Sequence, residues 1–144
     1  MTPAFRLTPE IVPERDLQER CAAVLDKLLL PPAFWFSAAI GATKLSAQQA
    51  EALSRAGVKR GLPDLWVLHM GVFCVELKAR GGRMSRTRIV RTTRGAPRIL
   101  VGQEEVFPAL VASGGVKDIA IAHSVEEMLG HLERWGIPLR SHHR

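Results

Sequence analysis

Two apolar runs, Leu65–Leu68 and Val72–Leu77, are bounded by charges: Asp64 precedes the first, and Glu76 and Lys78 close the second. An unpaired charge in apolar surroundings costs on the order of several kcal/mol, so two carboxylates and a lysine in such places require a reason. Two acids and one base leave a net negative charge. A divalent cation held by hard oxygen ligands would balance it, and would bring chemistry suited to phosphate esters. The alternative is a buried structural charge cluster without metal.

Whether the three residues meet depends on the turn between the runs. Both runs are rich in β-branched and aromatic residues and read as central strands covered on two faces. A three-residue loop of His69, Met70 and Gly71, with Gly71 in the left-handed position of a bulged hairpin, sets Leu68 opposite Val72 and Trp66 opposite Cys74. Asp64 then stands opposite Glu76. Directly opposed residues share a face, with Cβ atoms roughly 4.5–5.5 Å apart, and Lys78 lies on that face too. A two-residue loop would set Asp64 opposite Leu77 and split the charges between faces. The three-residue register is the one adopted.

Pro63-Asp64 followed by Glu76-x-Lys78 resembles the motif of the PD-(D/E)XK nucleases. The flanking GVKRGLPDLWVL, VFCVELKARGGRMS and a later Gln103 are similar to the VRR-NUC branch of that superfamily, over about residues 14–139. The joint occurrence of these segments is far more specific than the short acidic motif alone. The resemblance implies an α/β, restriction-endonuclease-like mixed sheet flanked by helices, and a phosphodiesterase acting on DNA with Mg²⁺ or Mn²⁺. Asp64 and Glu76 would be direct metal ligands and the Leu77 carbonyl a third. Lys78 would orient or deprotonate the attacking water, or stabilise charge developing on the phosphate. The family also places an acid on its first helix, a role Glu14 would fill by holding a water of the metal's shell or a second metal. Gln103 would position the nucleophilic water or contact phosphate, or else be an exposed first-turn residue. In the short form of the family that glutamine follows the GGxxS turn closely. Here an insertion delays it by over a dozen residues, which leaves its position open. A homodimer is a further implication, with no interface legible.

The 144 residues suit a single domain with a real core, and 47% hydrophobic content with scattered charge excludes a disordered chain. No apolar run approaches the ~20 residues of a membrane-spanning helix. The first residues lack a signal peptide's apolar core, so a cytoplasmic location is expected. Cys21 and Cys74 fall on apolar faces and read as reduced core cysteines. The net charge of +6 is unevenly spread. Residues 77–103 hold Lys78, Arg80, Arg83, Arg86, Arg88, Arg91, Arg94 and Arg98 with no acid, so this segment is +8 and the remainder −2. A basic block beside a carboxylate cluster suits a polyanion such as DNA.

The elements that must position these groups follow from periodicity and caps. Residues 1–12 read as an arm and 13–139 as the domain. Pro13 opens a helix at its first position, carrying Leu17, Cys21, Leu25 and Leu28 at helical spacing to a stop at Pro31-Pro32. At 100° per residue Glu14 falls inside the apolar stripe, while Glu19 faces water. Complementing the helix dipole is the alternative role for Glu14. A strand is expected within 33–40. Ser46 and Gln49 form a capping box for a short helix ending at Gly57. RTRIVRT and PRILV flank Arg94-Gly95-Ala96 and predict an inserted β-hairpin over 88–101. A helix over 102–113 turns Val106, Phe107, Leu110 and Val111 inward. A short strand over 119–122 precedes a last helix capped by Ser124 and Glu127, and the tail beyond is expected to fray.

The arginine insertion reads as a flap against the phosphate backbone, or alternatively as a solvated surface element. Lys59 and Arg60, just before Asp64, either reach DNA or are simply solvated. His69 reads as a turn residue, and His123, His131, His142 and His143 show no ligand spacing. Trp35, Trp66 and Trp135 read as core rather than base-stacking platforms. The leading function is a metal-dependent, structure-selective DNA endonuclease of a repair, recombination or phage-processing type. The alternatives are a restriction-like endonuclease and a nucleic-acid-binding module with a vestigial site.

Overall fold

The computed structural model describes residues 12–38, 45–91 and 95–141. Residues 1–11 of the expected arm, Arg94, His142 and His143 lie outside them. The element order is α1 (Glu14–Leu28), β1 (Phe34–Ser37), α2 (Ala47–Arg55), β2 (Leu65–Leu68), β3 (Val72–Leu77), β4 (Arg88–Val90), β5 (Arg98–Leu100), α3 (Gln103–Ala112), β6 (Val116–Ala122) and α4 (Val125–Arg134). This is a mixed α/β arrangement. One sheet runs β1-β2-β3-β6, antiparallel across its first two pairings and parallel between β3 and β6. β4 and β5 form a separate antiparallel pair.

The core lies on one face of the sheet. Leu17, Cys21 and Leu25 repeat on the inner stripe of α1, and Met128 and Leu132 on that of α4. Both helices close over Leu65, Val67, Val75 and Leu77, which alternate along β2 and β3 as period-two pleating requires. β3 is buried on both faces from Cys74 to Leu77. β2 departs from the expected two-sided cover: Leu65 and Val67 are buried, but Trp66 is half-buried and Leu68 exposed. A strand next to the edge strand has one face without a helix over it, and the apolar run alone does not reveal this.

The hairpin register is the expected one, with Leu68 facing Val72 and Trp66 facing Cys74. The turn differs in detail. Met70 takes the left-handed backbone, φ +50, and Gly71 has φ +145. His69 N–H donates to the Gly71 carbonyl at 2.9 Å.

Other expectations are corrected by packing. Pro13 is the N-cap of α1, one residue before the helix. Val111 is exposed, because α3 turns Phe107 and Gln103 inward instead. The last strand begins at Val116, three residues early, because it pairs along all of β3. The tail is docked through Arg140: Leu30 N–H donates to the Pro138 carbonyl at 3.0 Å, Arg140 N–H to the Leu28 carbonyl at 2.7 Å, and Ile137 is buried.

The segment carrying β4 and β5 is clamped at its base. The first N–H groups of α3 have no partner within the helix, and residues 85–87 supply them. Gln103 N–H donates to Ser85 Oγ at 3.0 Å, Glu104 N–H to the Ser85 carbonyl at 3.1 Å, and Gly102 N–H to Thr87 Oγ1 at 3.1 Å. Residues 87 and 102 are thus held together, and the β4–β5 pair leaves from that point. Ile89 and Ile99 oppose each other on it, each 67% exposed, so the ribbon contributes little to the core.

Gly102 is needed because the two chains approach too closely for a side chain. A Cβ there would stand 2.5 Å from the Ser85 carbonyl oxygen and 2.6 Å from Thr87 N. Gly102→Ala should therefore cost about 1–3 kcal/mol of stability, measured as a lower urea midpoint.

Candidate active site

Four of the expected residues converge where β2 begins and β3 ends. Glu76 is the last but one residue of β3 and only 2% exposed. Lys78 Nζ stands 3.1 Å from Glu76 Oε1, with its side chain 12% exposed. Gln103, buried at the start of α3, donates from Nε2 to the same Glu76 oxygen. Asp64 stands just before β2, and its Oδ2 accepts from Leu77 N–H at 2.8 Å. The other carboxylate oxygen, Glu76 Oε2, is buried with no hydrogen-bond partner.

Gln103 therefore reaches the site, although the β4–β5 ribbon separates it in sequence from Ser85. Its backbone N–H binds Ser85 Oγ, its Oε1 accepts from Ser85 N–H at 3.2 Å, and its amide N–H reaches Glu76. The serine that closes the GGxxS turn is the residue that positions the glutamine.

Glu14 is exposed, not inside the apolar stripe as its wheel angle suggests, because it is the first helical residue and lies beyond the packed stretch. Its carboxylate nevertheless turns toward β3, with Oε1 3.4 Å from Ala79 N. Gly82 leaves room for it: a Cβ there would meet Glu14 Oε1 at 3.4 Å. Glu19 points away and pairs with Arg15 at 3.6 Å.

Lys59 and Arg60 are exposed, as are Arg80, Arg83, Arg86, Arg88, Arg91 and Arg98. The arginines are not all without counter-charge: Arg86 lies 3.4 Å from Glu104. The segment holding Lys59 and Arg60 passes the start of α3, since a Cβ on Gly61 would stand 3.3 Å from Gln103 N.

His123 was invisible to spacing arguments and belongs to this site. Its Nδ1 lies 2.9 Å from the Lys78 carbonyl, which can only accept, so Nδ1 carries the proton. Its backbone N–H donates to Glu127 Oε2 at 2.7 Å, and Lys78 N–H donates to the Ala122 carbonyl at 3.1 Å. The last turn of β3 is thereby held from β6 and the cap of α4. Only the parallel β3–β6 register, which sets Leu77 beside Ala122, brings positions 78 and 123 together.

Burial pushes the Glu76 carboxyl up from its ordinary 4.5 to about 7, helped by the neighbouring Asp64 charge and opposed by bonds from Lys78 and Gln103. Burial also raises Asp64, against the lowering effects of the Leu77 N–H bond and of the Glu76 carboxyl, which when protonated can donate to Asp64. The two thiols are pushed up to about 12, chiefly by burial, so neither Cys21 nor Cys74 is a nucleophile.

As a place for a divalent cation the geometry is selective. Among the described residues no group of three or more His, Cys, Asp or Glu side chains forms a cage. That excludes a closed structural site of the zinc kind. Asp64 and Glu76 are the two carboxylates that could hold a divalent cation here, and Mg²⁺ is an ion that takes as few as one or two and keeps most of its waters. The partnerless Glu76 Oε2 is the oxygen such an ion would satisfy. Among the described residues no helix is long and apolar enough to cross a membrane. No family model, curated protein or solved structure matches the chain.

The raised carboxyl makes stability depend on pH. Between about pH 4.5 and 7 the folded state holds a proton on Glu76 that the unfolded chain has released. Metal-free protein should thus lose stability as pH rises through this window, by roughly 3 kcal/mol at most. Urea midpoints in chelator should fall across it, added Mg²⁺ should restore the loss, and Glu76→Gln should flatten the profile. A pH-independent wild-type midpoint would mean that Glu76 is ionised throughout.

Proposed function

We propose that the protein is a metal-dependent nuclease that hydrolyses phosphodiester bonds in DNA at the Asp64–Glu76–Lys78 cluster. The observation that carries this reading is Glu76: a carboxylate buried in the sheet beside a second carboxyl, Asp64, with one oxygen bound by Lys78 and Gln103 and the other, once ionised, without a donor. A purely structural acid would be expected to have both oxygens satisfied. Asp64, Glu76 and the Leu77 carbonyl would hold Mg²⁺ or Mn²⁺, and the ion would neutralise phosphate charge and lower the pKa of a bound water.

The chain's own groups then have separable tasks. Lys78 places a positive charge beside the reacting phosphate, where charge builds up in the transition state. Gln103 fixes the Glu76 carboxylate in one orientation by holding the oxygen that Lys78 also contacts. Glu14, at the rim, accepts hydrogen bonds from water or substrate entering from the Gly82 side. His123 positions Lys78 through its main chain. Arg88 and Arg98 share one face of the β4–β5 ribbon, opposite Ile89 and Ile99, and would track the phosphate backbone.

Asp64→Asn, Glu76→Gln and Lys78→Ala should each lower cleavage of plasmid or flap DNA by at least about 10²-fold, with DNA affinity in chelator nearly unchanged. His123→Ala should lower kcat, and His123→Asn, which keeps an N–H near the Nδ1 position, should recover most of it. Near-normal turnover by Asp64→Asn would sink the assignment.

The arginines should act differently. Replacing Arg88, Arg91 and Arg98 by Gln should weaken binding to all DNA sequences alike. The slope of log K against log salt should become shallower by roughly 0.7–0.9 for each phosphate no longer neutralised. Turnover at saturating DNA should change less, since these arginines serve ground and transition states equally. An unchanged slope with normal affinity would mean that the ribbon faces away from DNA.

A further inference from the structure

The register arranges one face of the sheet in rows. Ala38 N–H donates to the Asp64 carbonyl at 2.9 Å, and Asp64 precedes the strand whose next pairs face Val75 and Cys74, so Asp64 and Glu76 form the row at the sheet's end. The adjacent row is Phe36, Trp66 and Cys74, and the next is Phe34, Leu68 and Val72. Two residues of strand separate neighbouring rows, about 7 Å. Cys74 is fully buried, but the β1 end of this face is open: Phe36 is 41% exposed and Phe34 65%. Phe36 and Trp66 stack with ring centroids 5.8 Å apart and planes 17° from parallel. Trp66 Nε1 donates to the Pro63 carbonyl at 3.0 Å, so this ring is tied to the turn that presents Asp64.

Aromatic rings with a free face, one row from a phosphate-type site, have the chemistry that receives an unpaired base. We propose that Phe36, backed by Trp66, is a stacking platform for the unpaired nucleobase next to the scissile phosphate, so that the preferred substrate carries single-stranded nucleotides at the cut. The inference rests on the nuclease reading of the neighbouring row. Charge favours this occupant over a second copy of the chain. The exposed Lys59 and Arg60 run beside the start of α3, next to the site, and attract a strand's phosphates. A second copy would bring another net +6 against them. The stacking face is sequence-tolerant, because every base has a π surface.

The test uses the full chain in chelator, with two probes: a blunt duplex and the same duplex carrying a single-stranded flap with 2-aminopurine at the junction. Phe36→Ala should weaken flap binding about 5- to 100-fold and abolish quenching of the 2-aminopurine, while duplex affinity changes less than about twofold. Phe36→Leu, which keeps the apolar bulk and loses the ring, should behave like Phe36→Ala, and Phe34→Ala should show a smaller loss. Urea midpoints of all three check that they fold. Equal flap binding by Phe36→Ala, or equal loss on both probes, would overturn the platform. So would a wild-type mass of two chains that Phe36→Ala reduces to one, since a second copy would then cover the face. Adding Mg²⁺ or Mn²⁺ separates the two readings. Phe36-dependent flap binding without cleavage would remove the nuclease reading and keep the platform. Cleavage with no dependence on Phe36 would do the reverse, and absence of any DNA binding would remove both.

Discussion

A carboxylate buried in the middle of a sheet sets the terms for everything around it. Desolvating Glu76 is costly enough to move its carboxyl toward neutrality, and the fold answers with two donors on one oxygen, Lys78 from the same strand and Gln103 from α3. Neither donor is placed locally. Lys78 is held by β6 through Ala122 and His123, and Gln103 by Ser85 across the base of the insertion. The parallel β3–β6 pairing and the clamp at residues 85–87 can each be understood as support for that one side chain. The arrangement still leaves the ionised Glu76 Oε2 without a donor, beside the second carboxyl of Asp64.

The clamp explains how the long β4–β5 segment is accommodated at little cost. A loop's closure entropy grows only slowly with its length, so extra residues are tolerated when their two ends are fixed by the rest of the fold. Here the ends meet at Thr87 and Gly102, joined by a 3.1 Å hydrogen bond, and Thr87 Oγ1 also donates to Glu105 Oε2 at 2.6 Å. The orphan N–H groups of α3 are satisfied by another segment's serine and threonine rather than by a side chain at its own N-cap. The exposed β4–β5 ribbon can thus vary in composition without disturbing Gln103, and a surface rich in arginine is compatible with a buried glutamine a few residues away.

What could be read from the sequence was what depends on neighbours along the chain. The Leu68–Val72 register followed from the length of one turn, and the helix starts from single polar residues ahead of them: Ser46 and Gln49 form the full capping box, while at Ser124 only the Glu127 N–H bond of the expected box forms, because the Glu127 carboxylate accepts from His123 N–H instead. The order of all ten elements followed from periodicity. What escaped depended on contacts between distant segments. Trp66 looked like core because an apolar strand does not announce that one of its faces lacks a helix. Glu14 looked inward because a helical wheel gives direction and not depth, and the first turn of α1 extends past its packing partners. His123 had no ligand spacing to betray it, since its partner is a main-chain carbonyl 45 positions earlier. The tail looked frayed because its anchors, Leu28 and Leu30, belong to the other end of the chain.

The two faces of the sheet are unequally closed, and the carboxylates lie across this asymmetry. α1 and α4 seal one face completely over Leu65, Val67, Val75 and Leu77. On the other, burial falls from Cys74 in β3, through the half-buried Trp66 in β2, to the exposed Phe36 in β1. Asp64 lies toward the open side of this gradient and Glu76 toward the closed side. A charge near the closed side feels a low effective dielectric, which strengthens its electrostatics, while a partner near the open side remains within reach of solvent and solutes. Two carboxylates spanning that boundary can be approached from the β1 side without the sheet opening, and the Lys78 ammonium already stands beside the buried one.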